Sequence, residues 1–146
     1  MLATVLSFSL MVIFLFISFL HMYWVLGGEW ATDRVFPDEL GTLFKDDGMS
    51  LFAMIATVLV AIAFLVAAYL VAANNGRVIS FLSASVIRYL LITLAIVFFM
   101  RSIGDFKYCG FFKSKKEGLF AYWDSRLYSP LCLGLAVALG VLLFVA

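Results

Sequence analysis

The side chains able to do chemistry fall in three short stretches: His21-Met22-Tyr23-Trp24-Val25-Leu26-Gly27-Gly28, Arg101 to Lys113, and Phe120 to Cys132. His21 could carry a proton if a carboxylate reached it, and Asp105 and Asp124 are the candidates. Arg101 offers a planar donor fork suited to phosphate or carboxylate, and Lys107, Lys113, Lys115 and Lys116 follow it closely. Tyr23, Trp24, Tyr108 and Tyr128 add rings with one polar edge, the material of an aromatic ligand cage. The candidate ligand-binding set is therefore His21, Tyr23, Trp24, Arg101, Asp105, Lys107, Tyr108, Asp124 and Tyr128.

Each of these residues also has a plainer reading. An imidazole one turn inside a helix end can hydrogen-bond across to a neighbouring helix. Arg101 and Asp105 stand at i and i+4, so they form an intrahelical ion pair if the helix continues through Gly104. A run of lysines attracts anionic headgroups and marks the cytoplasmic side. Together with Trp30, Tyr122 and Trp123, the rings match the belt that collects at headgroup level in membrane proteins. Cys109 and Cys132 lack CxxC spacing, and they could form a redox pair only if adjacent and on an oxidising side. His21 is the single histidine, so no Cys/His metal set exists. No nucleophile elbow, metal triad or cofactor loop is present, so the sequence calls for no cofactor and leans away from an enzyme.

The composition says what must position these groups. Of 146 residues, 66% are hydrophobic and 13% charged, and mean hydropathy is +1.14, whereas a soluble domain carries about 25% charged residues. Water could not accommodate that much apolar surface on a chain this small; a bilayer, which needs roughly 20 apolar residues per helical crossing, can. Net charge is +1, from 10 Lys and Arg against 9 Asp and Glu, and gives no sign of a nucleic-acid partner.

Four apolar runs follow. The first covers about 2–27, with no fixed side-chain charge before Glu29; lacking a basic start and a small-residue cleavage site, it reads as a helix rather than a leader. The second covers about 49–73 and closes on Asn74-Asn75-Gly76, a helix-ending sequence. The charged stretch between them, 28–48, is a wet loop with turns at Pro37 and at Asp47-Gly48. The third run is uninterrupted only from Tyr89 to Met100, about 18 Å of helix against a hydrocarbon core of ~30 Å. It must reach back to about 79 and on to 103. That places Arg88 inside, to snorkel to the short-loop face or to pair with carbonyls, with Ser80, Ser83 or Ser85, or with a ligand. The fourth opens at Ser129-Pro130, a capping hydroxyl before a proline at the first helical position, and runs over 130–146, leaving 104–129 as the second long loop. In lipid each span must be helical. The fold class is all-α: a polytopic four-transmembrane-helix bundle forming one membrane domain, 1–146.

The patterns His-x-Tyr-Trp-x-Leu-Gly-Gly at His21 to Gly28, Arg-x-x-Gly-Asp-Phe-Lys-Tyr-x-Gly-Phe-Phe-Lys at Arg101 to Lys113, and Asp-x-x-x-Tyr-Ser-Pro-Leu-Cys at Asp124 to Cys132 resemble a family of small bacterial four-helix membrane proteins catalogued only as a domain of unknown function. The resemblance touches three of the four helices. It implies a four-helix fold and a membrane address, and it brings no activity to carry over.

Three functions fit these residues. The first is binding or transport of a small amphipathic molecule or an anionic lipid through a polar and aromatic mouth at one membrane face. The second is a headgroup-surface enzyme with His21, Asp105 and Asp124 as acid/base groups and Arg101 holding an anion. The third is an accessory subunit packed against a larger membrane partner or against further copies of itself. Four crossings put both long loops on one side, with most of the Lys and Arg. The positive-inside rule then makes those loops cytoplasmic in a plasma or inner membrane, with both termini outside. A reporter enzyme active only in the cytoplasm, fused after Ala146, should be silent; strong activity would reverse the orientation.

Overall fold

The computed structural model describes residues 1–35, 44–45 and 48–145. In chain order the elements are α1 (Leu2–Val25), α2 (Thr32–Val35), β1 (Phe44–Lys45), β2 (Gly48–Met49), α3 (Leu51–Asn74), α4 (Ala84–Ile103), α5 (Leu119–Trp123), a π-helical turn (Asp124–Tyr128) and α6 (Ser129–Val145). β1 and β2 pair antiparallel, Phe44 opposite Met49 and Lys45 opposite Gly48. The turns expected at Pro37 and Asp47 lie outside the described residues. Four helical stretches are long and apolar enough to cross a membrane: Leu2–Val25, Leu51–Asn74, Ala84–Ile103 and Leu119–Val145. This is the build of a multi-pass helical membrane protein.

Local chemistry explains most helix ends. Ser50 and Ser83 cap α3 and α4, their hydroxyls accepting from Ala53 N and Val86 N. α3 stops where expected: Gly76 takes φ +64, and Arg77 N bonds back to Ala72 O at 3.0 Å, closing the turn with a residue free to adopt a left-handed conformation.

Two expected boundaries are wrong. The third span begins at Ala84, not near 79. Its twenty residues, capped by Ser83, already rise about 30 Å, a full hydrocarbon thickness, so no residue before Ala84 is needed to cross. Arg88 then lies one turn from the helix start. Its guanidinium donates to Leu143 O at 2.7 Å, satisfying a carbonyl that the end of α6 leaves without an intrahelical donor. The fourth span begins at Leu119, ten residues ahead of Ser129. α6 itself opens at Ser129, as expected, but helical turns precede it: the chain passes through the proline by opening into the π-helical turn just before it. A proline offers no N–H to the preceding turn and its ring crowds the carbonyl four residues back, so the ladder loosens there. Asp124 and Arg126 within this stretch hide it from any search for an apolar run.

The helices form a ring in which α1 packs chiefly on α3 and α4 chiefly on α6, with lighter α3–α4 and α6–α1 contacts. Small residues are buried on α1 and α3, among them Ser7, Ser18, Ala53, Thr57, Ala61, Ala67 and Ala68, and the two helices meet at Ser18 and Ala61. Leu10, Phe14, Val71, Leu91, Phe98, Leu139 and Leu142 fill the centre, with Phe14 stacked on Phe98 at 5.7 Å. Large apolar side chains such as Phe8, Phe16, Leu59, Ile62 and Ile96 point outward instead, which suits lipid and not water.

Contacts between loops tie each face together. At one face Arg77 reaches Thr4 O; at the other, Tyr128 Oη donates to Arg34 O at 3.2 Å and the Arg34 guanidinium lies over the Trp123 ring. The two long loops therefore share a face.

Ser18 Oγ donates to Ala61 O at 2.8 Å across the α1–α3 seam. Ser18→Ala should lower stability by about 0.6 kcal/mol, a typical interhelical hydrogen bond in lipid, and Ser18→Leu, which overfills the seam, by about 1–3 kcal/mol. Unfolding titrations in mixed detergent micelles check the order; an Ala variant worse than the Leu variant would refute the seam's role.

Candidate functional site

The π-helical turn delivers a carboxylate into a dry place. Asp124 is fully buried, and its two oxygens accept from three other segments. Oδ1 accepts from Arg101 Nη2 on α4 at 2.9 Å. Oδ2 accepts from Lys113 Nζ at 2.9 Å, Gly110 N at 2.8 Å and Ser129 Oγ at 3.1 Å. Lys113 is itself nearly enclosed, and its ammonium also donates to Gly110 O and Ser125 Oγ. A charge taken out of water is tolerated only with partners of this number and quality.

The loop that brings Gly110 and Lys113 to Asp124 depends on two glycines. Gly104 ends α4 at φ +97 and Gly110 sits at φ +89, and a Cβ on Gly104 would lie 1.8 Å from Cys109 O. The chain leaves at Gly104, circles through Asp105 to Cys109, and returns so that Phe111 N reaches Ser102 O at 2.9 Å. Only glycine permits this backbone at no steric cost. Asp105 holds the excursion closed: its Oδ1 accepts from Cys109 N, Lys107 N and Tyr108 N within 2.7–3.0 Å. The Cys109 amide and its neighbours keep that carboxyl below the usual carboxylate range. The contribution is present above that range and fades as pH falls through the lowered value. Burial raises the Cys109 thiol, and Cys109 and Cys132 are both free.

Of the sequence candidates, the structure brings Arg101 and Asp124 together and sends the others elsewhere. The Arg101–Asp105 pair is not formed, because α4 ends before Gly104 and Asp105 turns to its own loop. Arg101 pairs with Asp124 instead. His21 does not bond across to another helix. Its Nδ1 pairs with Ile17 O on α1 at 2.8 Å, and its ring meets Trp24 and the α3 residue Phe64, so the neighbouring helix offers it a ring and not an acceptor. Acid–base pairing of His21 with Asp105 or Asp124 is likewise absent, since both carboxylates are engaged as above. Trp24 is buried and donates to Trp30 O at 2.8 Å, Tyr23 lies against Gly28, Lys107 sits over the Tyr108 ring, and Tyr128 holds Arg34 O.

Sequence reading missed Lys113 as a partner and treated Ser129 only as a cap. The available signal was Asp124 as the sole carboxylate from Gly118 to Ala146, which needed a cation at similar depth.

Chemically, the cluster sets two cations against one carboxylate. Arg101 Nη1 is buried and has no acceptor among the described residues, so one side of the donor fork stays unused. Ser125 beside Lys113 has the outline of a serine–lysine nucleophile pair, but an ammonium directing its protons at Gly110 O, Asp124 and Ser125 has no lone pair with which to take one. Between α1 and α6 an apolar groove of about 540 Å³ runs along the outer surface, lined by Leu2, Leu6, Phe111, Pro130, Leu133, Gly134, Val137, Ala138 and Val141.

A family model described as "Protein of unknown function (DUF3995)" matches residues 14–139, which contain every member of the Asp124 cluster. No curated protein and no solved structure matches.

Asp124→Asn leaves Lys113 and Arg101 without a counter-charge in a buried site and should cost about 3–5 kcal/mol. Detergent-solubilised thermal unfolding reads the loss. Combining it with Lys113→Met should recover part of it, and a double variant no better than the single one would show that the ion pair is not what holds the loop.

Proposed function

Given that the chain belongs to the DUF3995 family of proteins of unknown function, we propose that it binds a small amphipathic molecule with an anionic head at the long-loop face of the membrane. The observation that carries this reading is the half-used guanidinium of Arg101. A buried donor left without an acceptor costs about 1–3 kcal/mol, more when charged, and Arg101 Nη1 is such a donor beside a second cation, with one carboxylate between them. An incoming phosphate or carboxylate supplies the missing acceptor and balances the charge.

The surroundings support an amphiphile over a free anion. Trp123, Tyr122 and Tyr128 border the same face, and apolar residues begin directly beyond the cluster, at Phe111 and Pro130. They also favour binding over transport: the groove leading away has an apolar lining, and a charged head would find no hydrogen-bonding groups along it.

Arg101→Gln removes the fork while Lys113 still neutralises Asp124. In native mass spectrometry from mixed micelles, the wild-type protein should retain a phosphate-headed amphiphile about tenfold better than its zwitterionic counterpart, a difference of ~1.4 kcal/mol. Arg101→Gln should erase that preference. An equal preference in both proteins would remove the case for headgroup recognition.

A further inference from the structure

We infer that the groove between α1 and α6 seats one hydrocarbon chain, so that the ligand is an anionic lipid held by its phosphate at Arg101 and by a single chain along α6. This rests on the headgroup reading above and adds the tail. The groove follows α6 from Pro130 to Val141, about 17 Å of helical rise and close to half of a ~30 Å hydrocarbon core. From there it runs on to Leu2 and Leu6 in the first turns of α1. Its volume of about 540 Å³ lies within the range of pockets that take one small ligand.

Two features set this trough apart from the rest of the lipid-facing surface. Gly134 and Ala138 lie one helical turn apart on its floor, and a Cβ added to Gly134 would meet nothing within 4 Å. Small side chains thus leave open a channel that lipid must fill, since an unfilled one forfeits dispersion contacts along its whole length. The other feature is where the trough ends. Phe111 and Pro130 form its upper end, and each follows directly a residue that bonds Asp124, namely Gly110 and Ser129. The upper end of the trough thus lies one residue along the chain from two donors of Asp124, and a head at that end faces the part-exposed Arg101 side chain as its nearest cation of the cluster. Apolar burial drives nothing here, because surrounding lipid tails are as apolar as the groove. What distinguishes one occupant from another is the shape of the trough and the charge at its end.

The same small residues could admit a helix from a second copy. Phe111 argues for the chain: it stands at the upper end of the trough, where a hydrocarbon tail gives way to its headgroup but a helix about 10 Å across would have to continue.

Hexadecyl phosphate with a photoactivatable diazirine near the chain end serves as the probe in micelles of the full-length wild-type protein. Cross-links should concentrate on Leu6, Val137 and Val141, and labelling spread evenly over the outward faces of all four spans overturns the proposal. Independently, filling the trough with Gly134→Leu and Ala138→Leu should reduce retained hexadecyl phosphate about fivefold or more in native mass spectrometry, with circular dichroism unchanged. Loss with Arg101→Gln but not with the filled trough overturns the chain seat and leaves the headgroup reading standing. Loss with the filled trough alone overturns the phosphate assignment. A filled trough that shifts the mass from dimer to monomer without altering lipid retention assigns the groove to a second copy and overturns the proposal.

Discussion

A carboxylate buried at the end of a helix in a lipid-facing bundle must be neutralised and fully hydrogen-bonded, because neither water nor hydrocarbon is there to do it. Asp124 is that group. Its four donors come from the last turn of α4, from the loop that follows, from the returning lysine of the same loop and from the first residue of α6. The requirement of one side chain thereby dictates where three segments meet. The glycines at 104 and 110, the Asp105 cap and the π-helical turn can each be understood as a means of bringing a donor within about 3 Å of it.

The two faces of the membrane domain handle polarity differently. At the short-loop face the arginines attend to carbonyls: Arg88 satisfies Leu143 O, and Arg77 reaches Thr4 O. The first contact finishes the end of α6, and the second ties the short loop to the first turn of α1. At the long-loop face charge is concentrated, partly buried and unevenly balanced, and the first loop is drawn over it through Arg34, Trp123 and Tyr128. The aromatic residues there divide between structure and surface. Trp24 is enclosed and bonded to Trp30 O, while Tyr122 remains exposed beneath Arg126.

Lipid as solvent also decides which side chains form the interior. In water most large apolar residues would be drawn inward; here the centre keeps Leu10, Phe14, Leu91 and Phe98, small residues such as Ser18 and Ala61 are buried between α1 and α3, and many phenylalanines and isoleucines point out. His21 shows the consequence for reading chemistry from residue type. It sits where an interhelical hydrogen bond is plausible by position, but the facing residue is Phe64, so the imidazole satisfies itself on Ile17 O and becomes part of an aromatic cluster.

Composition and apolar run length alone establish the medium, the helical character of every span, the number of crossings and the end of α3 at Asn74 to Gly76, because burial of backbone polar groups and the thickness of hydrocarbon are properties of local sequence. The start of α4 at Ala84 has a local signal in the Ser83 cap, whereas the continuation of the fourth span back to Leu119 and the choice of Asp124 over Asp105 as the partner of Arg101 were decided only in three dimensions. The groups that decide lie on other segments: Asp124 for Arg101, and Gly110 and Lys113 for Asp124. An ion pair is specified by distance and desolvation, and neither can be read from spacing along a chain that leaves its helix at Gly104 and returns.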